Sequence, residues 1–290
     1  GYLKGGANYN ISDRSNVFFN AGLISRQPNF DAVFPNYANN INPDLQNEEI
    51  KSFELGYGYV TNNFKVNVNA YSTVWGNRFV TRSLSNSQGV DGFAQFKDID
   101  VVHNGIEVES SWNPFDNLRL KGMLSIGDWR YTKDFAAELF DDNQQSIGTG
   151  TLYLKDAKVG DAAQFVSYLE ADYRLGSKLN VDLGYRFVDN LYADYSITDS
   201  EFTQPDNAGA LKLPSYGLVD FGTTVRFNLF GNDASFRVNI NNLLDTTYIA
   251  ESNSNIHADA SSTTWNGVDT RNYVWFGFGR TWNASLKYRF

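Results

Sequence analysis

The sequence has no cysteine, a single methionine and two histidines in 290 residues. The missing cysteines exclude a disulfide framework and any thiolate metal site, and leave an oxidising envelope compartment compatible. His103 and His257 are far apart in sequence and form no metal pair. No run approaches the roughly 18 apolar residues of a transmembrane helix, and mean hydropathy is -0.41. Gly-x-Ser-x-Gly, P-loop and zinc-helix motifs are all absent, which leaves no catalytic set and no resident cofactor or metal to assign. A net charge of -9 counts against nucleic acid as a partner. Residue 1 is a glycine, and "GYLKGGANYN" already reads as strand, with no initiator methionine, signal peptide or leading domain. The expectation is either a short mature chain or a piece of something longer.

Aromatic residues, by contrast, are abundant: 22 Phe, 17 Tyr and 6 Trp make up 16% of the chain. Helical periodicity is scarce, whereas alternation of apolar and polar residues runs throughout. It predicts eleven strands, at about 2–11, 16–26, 49–61, 64–80, 100–112, 118–131, 162–175, 179–192, 216–227, 235–244 and 276–290. Their lengths, about 10 to 15 residues, exceed the usual mode of about 5 to 6 and suit a tilted bilayer crossing. The polar parity mixes Glu107, Glu109, Glu170, Asp172, Asp182 and Asp220 with Arg119, Lys121, Arg226, Arg237, Lys287 and Arg289; the apolar parity carries almost no charge. A water-filled or plugged lumen facing one way and lipid facing the other would demand that division.

Connections alternate as well. Short ones at 12–15, 62–63, 113–117, 176–178 and 228–233 alternate with long ones at 27–48, 81–99, 132–161, 193–215 and 245–275. Short turns on one side and long loops on the other mark an outer-membrane barrel. The expected fold is therefore all-β: a transmembrane antiparallel β-barrel. Eleven strands cannot close with antiparallel pairing throughout, and an open edge is intolerable in lipid. Residues 1–290 are therefore expected to be a C-terminal portion, about half of a barrel of some 22 strands with the plug absent from this chain.

The residues also resemble a family. "FRVNINNLLDTTYIAES" followed by "GFGRTWNASLKYRF" is similar to the last hairpin of TonB-dependent outer-membrane receptors. "RQPNFDAVFPNY" with "NINPDLQNEEIKSFELGYGY" resembles a loop leading into a strand of the same family, and "LSIGDWRYTKD", "VGDAAQ", "VDNLYADY" and "ALKLPSYGLVD" look similar to its Bacteroidota members. The resemblance implies ligand-gated nutrient import across the outer membrane of a Gram-negative bacterium, with metal chelates, glycans, peptides and cobalamin all open as cargo. It implies outer-membrane lipid, TonB (through an N-terminal part), the barrel-assembly machinery and a small-molecule or oligomeric nutrient as partners. A surface lipoprotein lid is compatible but unsupported by any residue here. The alternative is a passive porin, or a barrel used as an adhesin, without energy coupling.

Ligand-contact candidates lie on the long loops: Phe30, Phe34, Tyr37, Phe93, Phe96, Phe140, Tyr153, Tyr195, Phe202, Trp265 and Tyr273, since loop aromatics mark binding surfaces. The competing expectation is that the loops pack on one another as a cap. Arg26, Arg82 and Arg271, at strand–loop junctions, would meet an anionic ligand or pair with nearby carboxylates. "FDDNQQ" (140–145) and "DNLYADYSITDSE" (189–201) offer oxygens to calcium but lack the glycine-punctuated spacing of a calcium loop. Glu107 and Glu109 are expected to face Arg119 or Lys121 rather than a sugar. The final stripe, with Trp282, Leu286, Tyr288 and Phe290, reads as a lipid-facing strand and, through the resemblance, as the assembly signal. Trp282, Trp112, Tyr57 and Tyr59 suit an interfacial aromatic belt.

Overall fold

The computed structural model describes residues 1–34, 41, 45–85, 91–195 and 200–290. Its strands are β1 (Tyr2–Ser12), β2 (Ser15–Arg26), β3 (Glu48–Val60), β4 (Phe64–Ser85), β5 (Asp91–Phe115), β6 (Leu118–Tyr131), β7 (Phe135–Asp141), β8 (Ser146–Leu152), β9 (Phe165–Leu175), β10 (Leu179–Asp189), β11 (Tyr216–Leu229), β12 (Asn232–Asn241), β13 (Ile249–Ser252), β14 (Thr264–Trp265), β15 (Val268–Asp269), β16 (Val274–Phe276) and β17 (Thr281–Tyr288). One sheet runs β1-β2-β3-β4-β5-β6-β9-β10-β11-β12-β17, every pair antiparallel. The eleven strands of this path are the eleven that the alternation predicts. β1 and β17 are its two edges, each bonded to one neighbour among the described residues.

Three boundaries differ from expectation. β4 and β5 reach 22 and 25 residues, so at about 3.3 Å per residue they extend about 70 to 80 Å, far more than a bilayer crossing uses. Most of the connection expected at 81–99 is therefore strand. Register shifts mark where the hairpin changes character, between Trp75 and Arg78 and between Arg78 and Val80. Asn77 and Asp98 adopt left-handed backbone there, and the Asn77 amide donates to the Asp100 carboxylate at 3.0 Å. Second, residues 132–161 hold the β7–β8 hairpin, which extends the sheet along the outer part of β5. Third, the last strand begins at Thr281 rather than 276, because Val274–Phe276 pairs with β13 instead.

The register keeps like residues together across strands. On one face, Val17 lies opposite Tyr57 and Tyr57 opposite Val68. Farther along, Ala171 lies opposite Leu183, Leu183 opposite Phe221, Phe221 opposite Ile240 and Ile240 opposite Trp282. Phe19 and Phe53 add a ring contact at 4.9 Å. These apolar side chains are exposed, Leu169 at 65% and Leu286 at 63%. An apolar face of this extent is stable only against an apolar solvent. The opposite face is polar and internally bonded. Asn16 donates to Asn8, Asn20 to Glu54, and the Trp129 indole to the Tyr71 hydroxyl. Lys121 pairs with Glu170 at 2.7 Å, and Arg237 with Asp182 at 2.8 Å.

Tight turns gather at one end of the sheet. Phe230 (φ 51°) and Gly231 (φ 86°) join β11 to β12 with two successive positive φ angles, the twist that a two-residue hairpin turn requires. The buried core lies at the other end, where the long connections pack together. Substituting Leu183→Arg, on the apolar face, should cost about 2–4 kcal/mol near mid-bilayer and abolish the heat-modifiable, membrane-assembled form on gels. Ser125→Arg, opposite Glu107 on the polar face, should assemble normally.

Candidate functional site at the loop end

The loop end is built from two apolar clusters. In the first, Phe96, Ile99, Val101, Tyr131, Phe135, Leu152, Leu154, Tyr195 and Phe202 are buried together. Its rings meet edge to face: Phe96 on Tyr195 at 6.3 Å, Tyr131 on Tyr195 at 5.6 Å and Tyr131 on Phe135 at 5.4 Å. Each fully buried ring of this kind is worth about 1.5–3 kcal/mol in removed apolar area. In the second, Leu191, Ala193, Leu211, Leu213, Ile249 and Val268 are buried, with Trp265 and Tyr216 packed against them. The connections after β6, β10 and β12 therefore share a core with the outer part of the β4–β5 hairpin.

Buried asparagines fasten this cap. Asn255 donates to the Asp194 carbonyl and accepts from the Leu211 amide, both at 2.8 Å. Asn272 accepts from the Ile256 amide and the Ser254 hydroxyl and donates to the Ile256 and Asp269 carbonyls. Asn242, in "NNLLD", bonds both the amide and the carbonyl of Thr246. The residue type that made these loops look like ligand surfaces satisfies loop backbone instead, as buried amide groups require. Sequence alone carried no signal for this, because each partner is a main-chain atom.

The candidate residues divide accordingly. Phe93 is buried and stacked on Phe140 at 5.0 Å. Tyr195, Phe96 and Phe202 are interior to the first cluster. Tyr153 is half-buried, its amide donating to the Phe202 carbonyl at 2.9 Å. Trp265 meets Phe276 edge to face at 5.1 Å. Two candidates stand free of the clusters. Phe30 is 73% exposed on the single-turn helix α1 (Phe30–Val33), which Asn29 caps by accepting from the Ala32 amide, and Tyr273 is 74% exposed. Tyr37 lies outside the described residues. Exposed Trp275, Phe276 and Phe278 neighbour Tyr273; alternation placed two of these in the final strand and so hid the patch.

All three junction arginines are paired. Arg26 lies 3.7 Å from Glu48. Arg82 is 2.8 Å from Asp194 and sits over the Tyr195 ring. Arg271 grips the buried Asp269 through two nitrogens, at 2.9 and 2.6 Å, and with Ser262 holds that carboxyl well below the usual range. Glu107 and Glu109 do not pair with Arg119 or Lys121 as expected. The register places Ser125 and Met123 opposite them, while Lys121 goes to Glu170 and Arg119 to the Asn113 amide oxygen. Of the final stripe, Trp282, Leu286 and Phe290 are exposed, and the Tyr288 hydroxyl accepts from Asn232 at 2.8 Å.

Asp161 is the unusual titrating group of the cap. Gly160 brings its segment against Asp194 so closely that a Cβ would lie 2.5 Å from the Asp194 amide nitrogen. The Asp161 amide donates to the Tyr192 carbonyl at 3.0 Å. Although the residue is exposed overall, partial burial of its carboxyl, then the charges of Asp194 and Glu251, raise it from 3.8 to about 6, with Arg82 opposing.

Comparison with known proteins gives a consistent set. The family model "TonB dependent receptor-like, beta-barrel" matches residues 3–243. The ferrioxamine B receptor of Salmonella typhimurium, in two strains, is 28% identical over 156 residues, 53% of this chain and 19% of the receptor. The chain thus spans about a fifth of these curated relatives. Among solved structures, the copper transporter OprC aligns with a TM-score of 0.66 at 14% identity, covering 98% of this chain and 38% of its own. The siderophore receptor PiuA from Acinetobacter baumannii aligns at 0.65 and 16%, covering 98% and 35%.

A carboxyl whose pKa is raised on folding favours the folded cap in its protonated form. That contribution is present in acid and is lost as pH rises from about 4 through about 6. Proteolysis of the loops in the membrane-embedded protein should be slower at pH 4.5 than at pH 7.5, and Asp161→Asn should remove much of that difference. An unchanged pH dependence in the variant would assign it to other groups.

Proposed function

The chain belongs to the TonB-dependent receptor-like β-barrel family, a family of outer-membrane proteins, and from that premise we propose that it is the C-terminal half of a ligand-gated barrel importing a metal chelate. Membership places it in the outer membrane of a Gram-negative bacterium and among transporters rather than enzymes. The observation that carries the reading is the arrangement of the sheet: an apolar face, a polar face bonded within itself, and long loops packed at one end only. Such a wall separates lipid from a polar lumen and offers a recognition surface on one side of the membrane.

Completion to about 22 strands follows from the edges. With eleven strands in one antiparallel path, β1 and β17 run in the same direction, and backbone groups left unpaired in lipid would cost several kcal/mol each. Further strands of the same protein therefore pair with both edges, and a barrel of that size holds a plug. TonB, acting through that plug, supplies the energy. A metal cargo is favoured because the relatives' names specify ferrioxamine B, copper and a siderophore. Phe30, Tyr37 and Tyr273 with its neighbouring aromatics are the loop groups that would meet a chelate. Trp282, Leu286, Tyr288 and Phe290 form the strand that the barrel-assembly machinery reads.

Deleting the full-length gene should abolish uptake of radiolabelled iron from at least one iron chelate in an iron-limited culture. Restoring the gene should restore uptake, and a protonophore should block it. Uptake that persists with the protonophore would indicate a passive pore, and uptake unaffected by deletion would sink the import reading. Separately, Phe290→Asp in the full-length protein should leave most of it unassembled in the periplasm. Normal heat-modifiable assembly would refute the signal reading.

A further inference from the structure

At the turn end of the polar face, β10, β11, β12 and β17 line a recess of about 560 Å³. Lys178, Arg226, Lys287 and Arg289 surround it, and Asp233 is the one acidic residue in its lining. Register fixes the cluster: Arg226 lies opposite Ser235, and Ser235 opposite Lys287. The Arg226 amide bonds the Lys178 carbonyl, and the Arg289 amide bonds the Asp233 carbonyl, at 2.7 and 3.0 Å.

The cluster differs from the rest of the wall. Nearby Arg237 and Lys121 are held by Asp182 and Glu170. None of the four cations of the recess has an ion-pair partner among the described residues. In a chain of net charge -9, four unpaired cations against one carboxylate form a field of sign opposite to the whole. Glu107 and Glu109, on β5, carry the other sign and also lack an ion pair. These charges share the polar parity, so lipid phosphate on the opposite face does not meet them.

We infer that the basic recess is a docking surface for an acidic polypeptide face: carboxylates of the domain that fills the lumen sit on Arg226, Lys287 and Arg289. This rests on the plugged-barrel reading above. A fixed polypeptide is favoured over a solute in transit because of position. The recess lies at the turn end, opposite the loops where a ligand enters, and the junction arginines at the loop end are already neutralised by partners of this chain. Charges left unpaired in a confined lumen gain most from a complementary surface that remains in place.

The test uses full-length protein in lipid bilayers, native against Arg226→Glu/Lys287→Glu, with Arg226→Gln/Lys287→Gln as the milder pair. Heat-modifiable mobility confirms barrel assembly in each. Charge reversal should speed proteolysis of the lumen-filling domain from the turn side about tenfold, equivalent to about 1.4 kcal/mol of docking free energy, and open ion conductance. The Gln pair should fall between. Raising salt from 50 mM to 1 M should speed cleavage of the native protein in the same direction, because screening shortens from over 10 Å to about 3 Å. A native protein that is closed and protected, with variants equally protected, overturns the inference and leaves import standing. A native protein that already conducts as an open pore overturns both. Pyrophosphate binding to the native protein, lost in the Glu variant with protection unchanged, would assign the recess to a small anion and overturn the inference as well.

Discussion

Every peptide group that enters a bilayer must find its hydrogen bond within the protein, and the main sheet is the consequence of that constraint. The path from β1 to β17 is built of neighbours with antiparallel bonding, and its register cannot slip by one residue without exchanging the two faces. Leu183, Phe221, Ile240 and Trp282 would then face the polar side, while Asp182 and Arg237 would face lipid. Backbone bonding and side-chain partition thus enforce the same alignment, which is why a sequence of unremarkable hydropathy specifies a membrane wall.

The two ends of that wall are stabilised in different ways. Its middle buries little, because lipid rather than protein covers the apolar face. The loop end behaves as an ordinary aqueous domain, with fully buried Phe96, Phe202 and Leu213 and asparagines closing the backbone. Arg82 and Asp194 join these regimes: one belongs to the long hairpin, the other to the connection after β10. The cap is therefore held by groups that bind one another, and only those left over, such as Phe30 and Tyr273, are free to meet anything else.

The strands were legible because alternation is local: the period over 118–131 can be read without knowing what lies beside it, and its boundaries match β6. The odd strand number was legible for the same reason. What escaped was long-range. Residues 81–99 look like a loop, with a mixed polar and aromatic composition, yet they become strand because β7 pairs with β5 from 93 to 96. The roles of Phe93 and Tyr195 depend on Phe140 and Tyr131, tens of residues away. Lys121 was assigned to the wrong carboxylates because its true partner, Glu170, sits on a strand that the β7–β8 hairpin separates from it in sequence.

The continuity of β4 and β5 has a mechanical meaning. No flexible linker separates the wall from the cap along this hairpin; the same two strands run from turn end to loop end, interrupted only at the register shifts around Asn77 and Asp98. They act as a stiff beam with one joint. A displacement at the cap is carried into the wall as bending at that joint rather than being dissipated in slack chain, and the Asn77–Asp100 hydrogen bond is the pin on which it turns.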